Sequence, residues 1–159
     1  MAGKEDYFLR QIAMLRQLLA QVVKLRDAGQ TEQATMVLMQ AQEKLFNLPP
    51  TEVSALSLDE QLRLLEAGVP ATEAREKQMG YALLLKEAGL CYAVRDRPDV
   101  AEGAFKTALH IVLRLAAAEE KAPEAELLEL SRDLLARVSP ELMDEPMKEL
   151  LAEVSERLQ

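Results

Sequence analysis

Apolar residues return along this chain at the spacing of an α-helix. Phe8, Ile12, Leu15, Leu19 and Val22 stand 4, 3, 4 and 3 residues apart, which lines them along one helical face. Met14, Leu18 and Leu25 form a second stripe beside it. Together they make an apolar arc wider than a single neighbour needs. No segment keeps up a two-residue alternation with β-branched enrichment, so no sheet is expected. The fold class read from the pattern is all-α, with about seven helices over roughly three-quarters of the chain, against a base rate near 30–35%.

The punctuation divides these helices into pairs. Gly29 can take the left-handed conformation that stops a helix, and Thr31 offers an N-cap oxygen to the next. Ala34, Leu38, Ala41, Leu45 and Leu48 carry the second face. Residues 5–47 therefore read as a helical hairpin, closed by Pro49 and Pro50, which lack an N–H to donate. Residues 48–71 are a connector. Within it, Ser57-Leu58-Asp59-Glu60 has the form of a capping box, and its short helix should end at Gly68. A second hairpin spans 72–119, with Met79, Leu83, Leu90 and Val94 facing Ala101, Phe105, Ala108, Leu109, Val112 and Leu115. A third spans 123–159: Pro123 opens its first helix, and Asp144 caps a second carrying Met147, Leu150, Leu151, Val154 and Leu158. The 159 residues, 49% of them hydrophobic, suit a single domain (1–159) with a filled core.

Charge and motifs remove several function classes. The formal net charge is −8. No segment holds an excess of more than one base, and residues 119–159 carry 12 acids against 5 bases. A phosphate backbone or an anionic membrane wants the opposite balance, so neither nucleic acid nor membrane is an expected partner. The longest uncharged run is ten residues, Gln33 to Gln42, half of what a spanning helix needs. The opening MAGKEDYF carries acids and leads into no apolar run, so no secretion signal is expected. One cysteine allows no internal disulfide, consistent with a cytoplasmic, reducing setting.

Candidate chemistry is sparse. His110, the one histidine, shares a polar stripe with Lys106, Thr107 and Arg114. It has no carboxylate or second ligand three or four residues away, so it reads as a solvated surface residue. Cys91 stands mid-helix between Leu90 and Tyr92 and reads as a small buried hydrophobe. Glu-x-x-His pairs, phosphate-cradling glycine loops and nucleophile elbows are all missing. The expectation is therefore a non-enzyme with no catalytic residue, no metal and no cofactor. The acids Glu119, Glu120, Glu124, Glu126 and Glu129 lead the last hairpin. They read as a solvated face or, more sharply, as a docking surface for a basic partner.

Within 86–110, Gly89 is followed by Tyr92, Ala101, Phe105 and Ala108 at +3, +12, +16 and +19. This resembles the small and aromatic positions of a tetratricopeptide repeat, with Gly89 and Ala101 expected to face each other where the helices cross. The first hairpin is similar, with Leu25, Ala34, Leu38 and Ala41 in the matching places and Val22 where the glycine would stand. The order DYFLRQI, LRDAGQTEQA, NLPPTEVSALSLDEQLRLL and then the second hairpin, over roughly 5–118, resembles a family of small bacterial proteins with tetratricopeptide-like helices, stacked as an α-α superhelix. That resemblance implies no particular activity. It implies a scaffold that binds a protein, a peptide or a second copy of itself, with Leu83, Lys86, Leu90 and Ala93 on the inner helix of a partner-binding groove. Leu83, Leu90 and Ala93 do not supply the cations and amides that chaperone-binding repeats use to grip a C-terminal carboxylate, so that ligand is not expected. The alternative is a small-molecule sensor or enzyme with a pocket between hairpins. Something must also cover the second stripe of the first helix. Either the C-terminal hairpin folds back over it, or a second copy does so in a symmetric dimer, which is the slightly favoured expectation.

Overall fold

The computed structural model describes residues 2–119 and 123–159. Of these, 82% are helical, and none of the described residues is in a strand. The eight α-helices are α1 (Ala2–Asp27), α2 (Thr31–Phe46), α3 (Pro50–Ser54), α4 (Leu58–Glu66), α5 (Ala71–Val94), α6 (Pro98–Ala118), α7 (Ala125–Arg137) and α8 (Glu145–Val154), with one 3₁₀ turn at Pro140–Leu142.

The turns form for local reasons. Gly29 has φ +79°. Its N–H donates to the Arg26 carbonyl and that of Gln30 to the Leu25 carbonyl, which satisfies two carbonyls at the end of α1. The α5–α6 turn repeats the device without a glycine. Asp96 takes φ 59° while Arg97 N–H reaches the Tyr92 carbonyl at 2.9 Å. The capping box of α4 is present in full, Glu60 N–H donating to Ser57 Oγ and Ser57 N–H to Glu60 Oε1, each at 3.2 Å. Asp144 caps α8 through Met147 N–H.

Some boundaries differ from the sequence reading. Thr31 is the first residue of α2 and Gln30 precedes it, so the helix has no side-chain cap. Pro50 starts a helix, because a first-turn position needs no N–H donor. The resulting α3 turns Val53 fully inward. Pro123 lies outside α7, and Glu124 stands extended before it.

The helices pack in a layered order. α1 lies on α2 and α5, α2 on α5, and α5 on α6. α7 lies on α6 and α5, and α8 lies on α6. The expected hairpin over 123–159 is corrected: α7 and α8 each lie on α6 and not along one another, and neither folds back over the second stripe of α1. α5 is clasped from two sides, because its two glycines, nine residues apart, point in opposite directions. Leu15 of α1 occupies the space at Gly80, and the Phe105 ring of α6 occupies the space at Gly89. The expected close meeting of Gly89 with Ala101 is therefore corrected. The missing Cβ makes room for an aromatic ring, not for a near approach of two backbones.

Two apolar clusters fill the interior. The larger gathers α3 to α8 around Leu109, Ile111, Val112, Leu113 and Met147. The smaller joins Leu15, Leu19 and Val22 of α1 to Val37, Leu38 and Ala41 of α2, and Leu84 and Cys91 of α5 close it. Leu45 and Leu83 pack against both. Val94, expected in the core, is 63% exposed, because it is the last residue of α5 and the chain turns away there. A buried polar chain crosses the larger cluster. Tyr81 Oη donates to Gln61 Oε1 at 2.7 Å, and Gln61 Nε2 donates to the Val53 carbonyl at 3.0 Å and the Leu56 carbonyl at 3.2 Å.

Candidate functional site

The four residues named from the repeat pattern lie along α5 and meet different surroundings. Leu83 lines a small groove of about 210 Å³ with Leu19, Ala20 and Val23 of α1, Glu87 of α5 and Glu126 of α7. Lys86 reaches α7, its Nζ 3.3 Å from Asp133. Leu90 is half-buried against the larger core, and Ala93 is exposed near the end of α5. α7 therefore stands over this face at Lys86. A bridge also spans the groove, in which Arg16 of α1 holds Glu126 of α7 by two parallel hydrogen bonds of 2.9 Å.

The acids leading the last two helices take part in the same fastening. Glu119 is bound by Arg75, whose guanidinium also lies 3.5 Å from Glu124. Arg157 donates to the carbonyls of Ala116 and Glu119 at the end of α6. Glu129 is exposed, and Glu120 lies outside the described residues. Glu124 and Glu126 thus meet cations of α5 and α1, while Glu119 ties the end of α6 to α5.

A larger trough opens elsewhere, between the first half of α1 and the last turns of α2. Its volume is about 480 Å³, and Ile12, Met14, Leu15, Leu18, Ala41 and Leu45 form its apolar bed. A drug-sized ligand pocket spans roughly 300–1,000 Å³. Tyr7, Gln11 and Asn47 supply neutral polar groups, and Arg10, Lys44 and Lys77 supply charge. Lys44 Nζ lies 3.2 Å from Met14 Sδ. Among residues 6–119 and 123–159, no carboxylate lines the trough and none lies within 4.0 Å of these three cations. Tyr7, Leu9 and Met14 are 60%, 58% and 44% exposed. The sequence reading noted that Met14 and Leu18 needed cover, but not the trough, because its cations come from three helices and converge only in the fold.

His110 is half-buried, not fully solvated as expected. Burial pushes its pKa below the ordinary value, although Asp144 and Asp59 pull it upward. Neither carboxylate could be seen beside it in sequence, since they come from α4 and the α8 cap. Cys91 is fully buried, and burial raises its thiol pKa. Among the described residues, no cluster of three or more His, Cys, Asp or Glu is placed to hold a metal ion, and no helix is long and apolar enough to cross a membrane.

Comparison with protein-family models, curated proteins and solved structures finds no match.

Proposed function

We propose that this protein is a tetratricopeptide-like, non-enzymatic scaffold of the cytoplasm, and that it binds a protein or peptide partner in the trough between α1 and α2. The carrying observation is the trough itself: an apolar bed left open between two adjacent helices. The order of helix contacts supports the repeat reading. In a stack of hairpins, the first helix of each pair lies on both helices of the pair before, and α5 does so on α1 and α2; the last two helices depart from the pattern, since α8 lies on α6 and not along α7. Terminal faces of such stacks stay open unless something caps them.

The inner groove at Leu83 is a weaker candidate, because Arg16–Glu126 and Lys86–Asp133 already tie α7 across it. A second reading, small-molecule binding, draws on the volume of the trough, which lies in the range of ligand pockets.

A photo-crosslinking residue placed at Met14, and separately at Glu153 on the outer side of α8, separates these readings in the protein's own host cells. The scaffold reading expects a discrete protein adduct from position 14 alone. Equal labelling from both positions, or none from either, overturns it. Native mass spectrometry showing a tightly held compound of a few hundred daltons would instead favour the second reading.

A further inference from the structure

We infer that the trough between α1 and α2 takes an acidic amphipathic helix of a partner protein; this rests on the scaffold reading above and names the chemistry of its partner. Three observations carry it.

The first is charge. The chain bears a formal −8, yet the trough is lined by Arg10, Lys44 and Lys77 and, among residues 6–119 and 123–159, by no acid. Elsewhere Arg16 meets Glu126, Arg26 meets Glu87, Arg75 meets Glu119 and Arg114 meets Asp59, while, among the described residues, cations such as Lys24, Arg63 and Lys106 stand singly on the surface and do not gather in an apolar trough. The three cations of the trough have no carboxylate partner among residues 6–119 and 123–159. They come from three different helices, so one carboxylate head, as on a fatty acid, would answer only part of the charge. Several carboxylates along one ligand answer all of it.

The second is shape. The α1 lining runs from Tyr7 to Leu18, about 16 Å at ~1.5 Å per residue, or three helical turns. Its two walls are adjacent helices, whose side-chain ridges leave a groove that a third helix can fill. An apolar stripe on that helix would rest on Ile12, Leu15, Leu18 and Leu45, with its flanking acids toward the cations.

The third concerns a second copy. A two-fold contact through this face would bring two copies of the same cationic lining together, with no acid of the described lining to answer them. The chain's own acidic helices cannot supply the ligand either. Leu127, Leu130 and Leu134 of α7 and Met147 and Val154 of α8 are already buried against the body.

Fluorescence anisotropy with two labelled peptides of about 18 residues, long enough to form helix, tests the inference on the full chain. Both carry Leu at one helical face; one is flanked by Glu and the other by Lys. The Glu peptide is expected to bind about tenfold more tightly than the Lys peptide at low salt and to lose that advantage as salt rises. Arg10→Glu, Lys44→Glu and Lys77→Glu combined should reverse the order while circular dichroism stays unchanged. Should that variant not fold, the peptide pair and the salt series still decide. Equal or better binding of the Lys peptide overturns the charge argument while leaving the scaffold reading to its crosslinking test. So does binding of dodecanoate with no binding of either peptide, or a concentration-dependent dimer in light scattering that Leu18→Glu dissolves.

Discussion

Arg16 and Glu126, 110 residues apart, meet through two parallel hydrogen bonds of 2.9 Å and so join the first helix to the seventh. The Arg16 guanidinium holds the Glu126 carboxyl below its ordinary pKa. A lowered carboxyl pKa gives stability that is present above the unfolded value and lost as pH falls through the native one. Both side chains are nearly half exposed, so solvent screens the pair and its worth is about 0.2–1 kcal/mol. Arg16→Ala should therefore lower the urea midpoint slightly at pH 7. The gap from the parent should close as pH falls below the ordinary glutamate value. A gap that persists at pH 2.5 would mean that Arg16 acts through packing alone.

Three glycine-to-alanine variants should give three different results. At Gly89 a new Cβ would fall 2.5 Å from the buried Phe105 ring, which is rigid, so Gly89→Ala should cost about 1–3 kcal/mol despite better helix propensity. At Gly80 the atom in the way is the tip of Leu15, which can turn aside, so the cost should be smaller. At Gly103 nothing lies within 4 Å, so Gly103→Ala should stabilise α6 by about 0.5–1 kcal/mol. Thermal unfolding of the three, with Phe105→Leu added to Gly89→Ala as a rescue, checks the order.

Asp96→Gly should raise stability. Asp96 holds φ 59° in the turn between α5 and α6, where glycine has no Cβ to clash. The gain should be about 0.5–1 kcal/mol, and Asp96→Ala should lose a similar amount. Chemical denaturation of the pair reads both signs, and two changes of the same sign would contradict the turn geometry.

Tyr81→Phe should cost about 1–3 kcal/mol, because it leaves the Gln61 Oε1 acceptor buried without its donor. Burial pushes the Tyr81 pKa up to about 12. The native state then holds this proton more tightly than the unfolded chain, so stability falls as pH rises from about 10 toward 12. The pH dependence in that window should be shallower in Tyr81→Phe than in the parent.

What could be read in the sequence was local. Helical spacing, the Gly29 and Gly68 stops, the Ser57–Glu60 box and the Asp144 cap each depend on residues within one or two turns, and the structure has all of them. What could not be read needed the tertiary fold. The partner of Gly89 depends on which residue of α6 crosses it; the repeat spacing points to Ala101, and the fold sets the Phe105 ring there. The surroundings of His110 required Asp59 and Asp144 from distant elements. The trough required Arg10, Lys44 and Lys77 to converge from α1, α2 and α5. Proline at 50 was read as a breaker, when its position at a helix start makes it an opener.

α5 supplies walls to both apolar clusters, through Leu84 and Cys91 on one side and Met79, Tyr81 and Ala82 on the other. Neither cluster can lose this helix and keep its seal. The two clusters are thereby denied separate melting, and the chain should unfold as one cooperative unit. In hydrogen exchange, the amides in the middle of α5 should open only with the whole molecule, while the first turns of α1, beyond the reach of either cluster, exchange long before.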